Sequence, residues 1–311
     1  MSHPLLAGLR LPVVAAPMFL VSGPDMVIAA AQAGIVGAFP TPNCRTAEEL
    51  DGWMSRIAGA CADAPGPWAA NLVTHSSNGR LADDLALVAK HRPPLVITAL
   101  GSPAPAIEAV HGYGGLVLAD VTTAALGRKA AAAGADGLVA VASGAGGHTG
   151  SLSPFAFISV LRSFFDGIVC VGGGIADGSG VAGAIAAGAD LVYMGTRFLA
   201  SKESLASSGY KAMVIGAGAE DLVVSPAITG TAASWLKPSL TAAGYDIADL
   251  GVAPARDYGG DPAVRWRDLW AAGQGLHAVT ASEPVAAIVD QVAEQYDAAC
   301  ERLITLAGER P

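Results

Sequence analysis

The chain has 311 residues and a net charge of −9; 52% of its residues are hydrophobic and only 14% charged. This composition excludes a disordered chain, which needs low hydrophobicity and high net charge, and a coiled coil, which needs abundant Glu, Lys and Arg. The acidic balance leaves no basic footprint for nucleic acid or an anionic membrane, and such sparse charge points to apolar surface that a second copy could cover, making a homo-oligomer.

Met1–Arg10 shows no basic stretch followed by an apolar core, so no signal peptide is read there. Eight short, predominantly apolar runs follow: Leu11–Ala16, Ile35–Phe39, Trp68–Leu72, Leu95–Leu100, Leu116–Asp120, Gly137–Ala142, Ile168–Val171 and Leu191–Met194. Such runs suit parallel strands buried on both faces. Segments with helical spacing lie between them, at Asp25–Ala33, Ala47–Ala58, Leu81–Lys90, Pro105–Val110, Thr123–Ala133, Pro154–Phe165 and Ser179–Ala187. The phrases Ala33-Gly34-Ile35, Ala133-Gly134-Ala135-Asp136 and Ala187-Gly188-Ala189-Asp190 each end a helix with glycine and open a strand. Repeated βα units of this kind predict an α/β protein, a (β/α)8 TIM barrel over residues 1–200 and 266–311. A doubly wound sheet competes, but nothing marks a reversal of strand order.

Residues 201–265 are rich in Ala, Gly, Ser and Pro and lack clear strands. They read as a small, mostly helical lid inserted after the eighth strand. A helical pattern resumes at Asp268, through Leu269 to Gln274, and again from Glu283 to Leu306. The longest stretch free of Asp, Glu, Lys and Arg, Gly137–Leu161, is broken by glycines, His148 and Pro154, so it is no membrane span. Cys44, Cys61, Cys170 and Cys300 have neither zinc spacing nor the density of a disulfide scaffold. Free thiols, no metal site and a cytoplasmic location are expected.

Three loops carry the chemistry. Gly172-Gly173-Gly174-Ile175-Ala176-Asp177-Gly178 follows the seventh strand, and Gly195-Thr196-Arg197-Phe198 follows the eighth. Small residues expose backbone N–H groups, a helix start adds positive dipole character, and these two loops are the usual phosphate site of a barrel. Asp177 suits the N-cap of the next helix, and a Rossmann fingerprint fails because glycine would be needed at Asp177. After the sixth strand comes Ala145-Gly146-Gly147-His148-Thr149-Gly150, which places an imidazole at the barrel mouth as base or hydrogen-bond donor. His75 follows the third strand and is a weaker rim candidate. Pro17-Met18 and Asn71-Leu72 also fall on the rim, where a planar cofactor would find an apolar bed.

These stretches, with Ala272-Gly273-Gln274, Ile228-Thr229-Gly230 and Leu236-Lys237-Pro238-Ser239, resemble the nitronate monooxygenases, FMN-dependent barrels formerly called 2-nitropropane dioxygenases. The resemblance covers nearly the whole chain in order. It implies FMN, with its phosphate held by Gly173, Gly174, Gly195 and Thr196; Gly172, beside them, and Gly147, in the loop after the sixth strand, would also bind the cofactor. Pro17, Met18 and Asn71 would sit by the flavin ring and Gln274 near the cofactor. His148 matches the family's catalytic histidine and would abstract the α-proton of a nitroalkane or hold the nitronate, which FMN and then O2 would oxidise. The sequence departs from many relatives at Gly144, where an acidic residue is common, at Val141, where a polar one is, and at Asp120, where some have lysine. The same pattern includes FMN-dependent enoyl reductases and NADH:quinone reductases. An NAD(P)H-dependent reductase of an enone, quinone or enoyl thioester is therefore the alternative, and a flavin-binding protein without turnover a third.

Overall fold

The computed structural model describes residues 3–253 and 268–308. Eight parallel strands close on themselves: β1 (Val13–Ala15), β2 (Val36–Pro40), β3 (Trp68–Val73), β4 (Leu95–Ala99), β5 (Leu116–Val121), β6 (Gly137–Val141), β8 (Ile168–Gly172) and β9 (Leu191–Met194). Closure comes from β9 pairing with β1, Val14 opposite Tyr193. The helices α1 (Pro24–Gln32), α2 (Ala47–Ala60), α3 (Leu81–His91), α4 (Ala104–His111), α5 (Ala124–Ala132), α6 (Pro154–Arg162) and α7 (Gly178–Ala186) alternate with the strands. The fold is a (β/α)8 barrel.

Side-chain alternation divides each strand between two cores. Val14, Ala38, Ala69, Ile97, Leu118, Val139 and Leu191 fill the barrel interior. Their neighbours face out onto the helices; Val117, for one, packs with Val88 and Val110. The recurrent glycines do what the sequence asks of them: Gly34, Gly134 and Gly188 have φ of +86°, +97° and +106° at the helix ends. The aspartates that follow have a role of their own. Asp136 Oδ2 accepts the Val117 N–H, and Asp190 Oδ2 accepts the Val169 N–H, each at 2.8 Å, fastening the foot of one strand to the next.

Beyond β9 lie α8 (Thr196–Leu199), α9 (Ser208–Gly216), β10 (Leu222–Ser225), β11 (Ala233–Leu236) and α10 (Lys237–Ala242). Among its described residues the lid carries more helix than strand, but the expectation of no strands is corrected. β10 and β11 pair antiparallel, and β11 pairs with β7 (Gly147–His148), building a three-stranded sheet across the barrel mouth. The helix expected from Asp268 is corrected too. Ala271 forms an antiparallel bridge with Trp235, and the turn at Gln274–Ala278 is a 3-10 helix. Tertiary pairing overrides local helix propensity there: the Ser234 hydroxyl donates to the Ala272 carbonyl at 2.8 Å, and the Tyr210 ring stacks on Trp270. The lid–barrel boundary at 265/266 lies outside the described residues. The last helix, α11 (Val285–Gly308), buries Val285, Ile288, Val289 and Val292 against the barrel's outer shell. No helix among the described residues is long and apolar enough to cross a membrane.

Candidate active site

A cavity of about 1530 Å3 opens at the C-terminal ends of the strands. It exceeds the roughly 300–1,000 Å3 of common small-molecule sites, enough for a cofactor and a substrate together. Pro17, Met18, Asn71, Gly147, His148, Gly173, Gly174, Gly195 and Thr196 all line it, as does His75. Gly172 and Gln274 do not. Gly172 ends β8, and a Cβ there would lie 3.0 Å from the Tyr193 Cβ. Gln274 braces the loops from behind: its N–H and that of Gly174 both donate to the Gly144 carbonyl, at 2.9 and 3.1 Å.

The two phosphate-type loops differ in construction. Gly173 has φ +143°, and a Cβ would come 2.5 Å from the Ser143 carbonyl oxygen, so the loop itself requires glycine there. At Gly195 a Cβ would meet nothing nearer than the Met18 sulfur at 3.5 Å, so the space kept free belongs to the cavity. Thr196 Oγ1 accepts the Gly273 N–H at 2.8 Å and retains its own hydrogen to donate. The helix-dipole contribution expected beyond Gly174 is already taken. Asp177 caps α7 by accepting the Gly180 N–H at 2.7 Å, and Gln295 accepts the Gly178 N–H at 3.0 Å. Any phosphate at these loops would be held by loop backbone and Thr196.

On the β1 side, Asn43 accepts from the Leu20 N–H and donates to the Met18 and Ser22 carbonyls, pinning the Pro17–Ser22 loop. Asn71 points inward from β3 and donates to the Ile97 carbonyl at 3.2 Å. His148 sits in β7 opposite Ala233, so the lid holds its backbone from one side. The Thr149 hydroxyl holds the other by donating to the Ala142 carbonyl at 3.1 Å. Lid residues Thr229, Thr231 and Ala232 complete the wall. The cavity thiol is inert: burial pushes Cys44 up to about 12. Among the described residues no cluster of His, Cys, Asp or Glu could hold a metal ion.

Tyr193 and Asp120 lie on strands, outside the three glycine-rich loops. Both line the cavity. Burial pushes the Asp120 carboxyl up to about 7 and raises the Tyr193 phenol well above its ordinary value, with the Asp120 charge adding to the latter.

Residues 68–295 match the family model described as nitronate monooxygenase. A curated relative from Rhodococcus jostii, (3aS,4S,5R,7aS)-5-hydroxy-7a-methyl-1-oxo-octahydro-1H-indene-4-carboxyl-CoA dehydrogenase, is 32% identical over 72% of this chain. The match spans 62% of that relative's length. Among solved structures, FabK from Thermotoga maritima superposes with a TM-score of 0.80 at 25% identity, covering 97% of both chains. Nitroalkane oxidase from Streptomyces ansochromogenes gives the same TM-score and identity, over 96% of this chain and 99% of that one.

Proposed function

The chain belongs to the nitronate monooxygenase family, and from that premise we propose that it is an FMN-dependent oxidoreductase that oxidises alkyl nitronates with O2. One observation supports this above the others: a single cavity brings His148 together with Thr196 and with Gly195, where the protein leaves open space for a ligand. The residues fit FMN. Gly195 lets backbone approach a phosphate, the Thr196 hydroxyl donates to it, and Pro17 and Met18 offer apolar contact to a planar ring. Bound at these residues, FMN would supply the redox chemistry, the transfer of electrons from nitronate to O2. An imidazole nitrogen of His148 takes the proton from the carbon bearing the nitro group, or holds the nitronate oxygen by hydrogen bond. Gly144 and Gly146 serve the loop's own packing: a Cβ would come 2.8 Å from the Gln274 Oε1 and 2.7 Å from the Gly273 nitrogen, respectively.

Anaerobic mixing tests the reading. A nitronate should bleach the flavin band of the purified protein. Bleaching by NAD(P)H alone would replace the reading with a reductase of an enone, quinone or enoyl thioester. Bleaching by neither would leave a flavin-binding protein without turnover. His148→Ala should keep its flavin and lose about 10²-fold or more in turnover of a neutral nitroalkane. Pre-formed nitronate should suffer less if proton abstraction is the histidine's whole role, and parental rates on every substrate would remove His148 from the mechanism.

A further inference from the structure

The barrel interior is apolar through Leu118, Val139, Cys170 and Leu191, and changes character one step higher. The next inward positions on β5 and β9 are Asp120 and Tyr193. Asp120 Oδ1 and the Tyr193 hydroxyl oxygen are both buried and have no hydrogen-bond partner. Both residues border the cavity, and the Tyr193 ring lies where Gly172 provides no side chain. Burial, not a neighbouring charge, accounts for the raised affinity of Asp120 for its proton.

Two buried oxygens left unpaired are costly and rare in folded proteins. The apolar layer beneath cannot satisfy them, so their partner must enter from the cavity. A carboxyl in an apolar site with no cation beside it keeps its hydrogen and becomes a donor. A phenol supplies a second. Two O–H donors facing one space suit an acceptor oxygen that carries partial or full negative charge.

We propose that Asp120, in its neutral hydrogen-bearing form, and Tyr193 make a two-donor floor that holds a carbonyl-type or nitro oxygen of the molecule bound above them. The proposal rests on the FMN reading. The oxygen belongs either to a flavin ring carbonyl or to the nitro group of the substrate, and the test separates the two. No titratable side chain faces Asp120 from its flanking strands β4 and β6. Cys170 and Tyr193 face it across the interior, both held neutral by burial. His75, His148, Lys129, Arg45, Arg80 and Asp84 line the outer wall of the same cavity.

The experiment titrates the FMN-loaded protein from pH 6 to 8, following the visible flavin band and the Kd for FMN, then the Kd for a nitronate. If only the neutral acid binds, affinity falls about tenfold across that range, given a midpoint of about 7. Asp120→Asn, which cannot ionise, should flatten both band and affinity. The FMN phosphate and His148 also titrate here, so the decisive quantity is the difference between Asp120→Asn and its parent, with His148→Asn retaining the parental band shift. Tyr193→Phe should keep the pH dependence and weaken binding about tenfold at pH 6. An effect on the flavin band and FMN affinity assigns the oxygen to the cofactor; an effect on nitronate affinity alone assigns it to the substrate. Parental curves flat in both arms, or unchanged in Asp120→Asn, overturn the proposal. A protein that takes up no FMN overturns the functional reading first, and this inference with it.

Discussion

Gly173 and Gly195 look equivalent in the sequence and are opposites in space. A side chain at Gly173 collides with the Ser143 carbonyl, whereas one at Gly195 enters the cavity. Gly195→Asp should therefore keep the parental melting temperature within about 2 °C while FMN affinity drops by at least about tenfold, since a carboxylate repels the phosphate. Gly173→Asp should lower both, as the strained loop gives way. Paired thermal melts and FMN titrations read the difference, and full flavin occupancy in Gly195→Asp would remove the phosphate from that loop. Asp120 carries a separate prediction for the FMN-free protein. Its folded-state affinity for a proton is raised, so its contribution to stability is complete below about pH 4 and is lost as pH rises through about 7. Asp120→Asn should melt several degrees above the parent at pH 8 and equal it near pH 4; coincident melting curves at both would mean the carboxyl is not desolvated. Alternation makes Asp120 and Tyr193 legible in the sequence, since they share parity with Leu116 and Leu118 and with Leu191 on their strands. Motif reading passes over them because neither belongs to a loop.

Strands of the barrel are readable because burial on both faces favours short apolar runs, and these recur at the regular spacing of βα units; runs as long in Met26–Ala31 and Val285–Val289 belong to helices. The lid's strands have no such signature. Val224 is 56% exposed, β10 and β11 are four residues each, and their partner β7 is the pair Gly147–His148. Strands that short exist only by virtue of their neighbours, which a local pattern does not display. Residues 268–273 mislead for the same reason: Ala, Leu and Trp suggest a helix, yet their backbone groups go to Trp235, Ser234 and Tyr210. The aspartates after the recurrent glycines are likewise visible as letters and silent about their partners. Asp190 joins the Val169 N–H to the Arg162 guanidinium. Asp190→Ala should cost about 2 kcal/mol in urea unfolding by leaving a strand N–H without its acceptor and the Arg162 guanidinium, still bonded to the Gly188 and Gly167 carbonyls, without its counter-charge; an unchanged midpoint would show that water replaces the carboxylate.

Across the whole molecule, the closed sheet fixes the cavity's floor while the lid fixes its roof, and the β7–β11 pairing ties them together. Ala233 lies opposite His148, Ser234 opposite Gly147, and the Thr149 N–H reaches the Ala232 carbonyl at 3.1 Å. Lifting this part of the lid breaks those bonds and carries the imidazole's backbone support away with it. The Thr149 amide should therefore exchange with deuterium at the rate at which the roof opens, and a ligand that fills the cavity should slow both together. Exchange at Thr149 that ignores a tightly bound ligand would disconnect the two motions. Were the two coupled and His148 the proton acceptor proposed above, escape and chemistry would exclude each other: a molecule leaving beneath the raised β11 would face a histidine held from the barrel side alone. The same ladder that holds the histidine in place would thereby work as a commitment step, and its lifetime would set an upper limit on product release through that side.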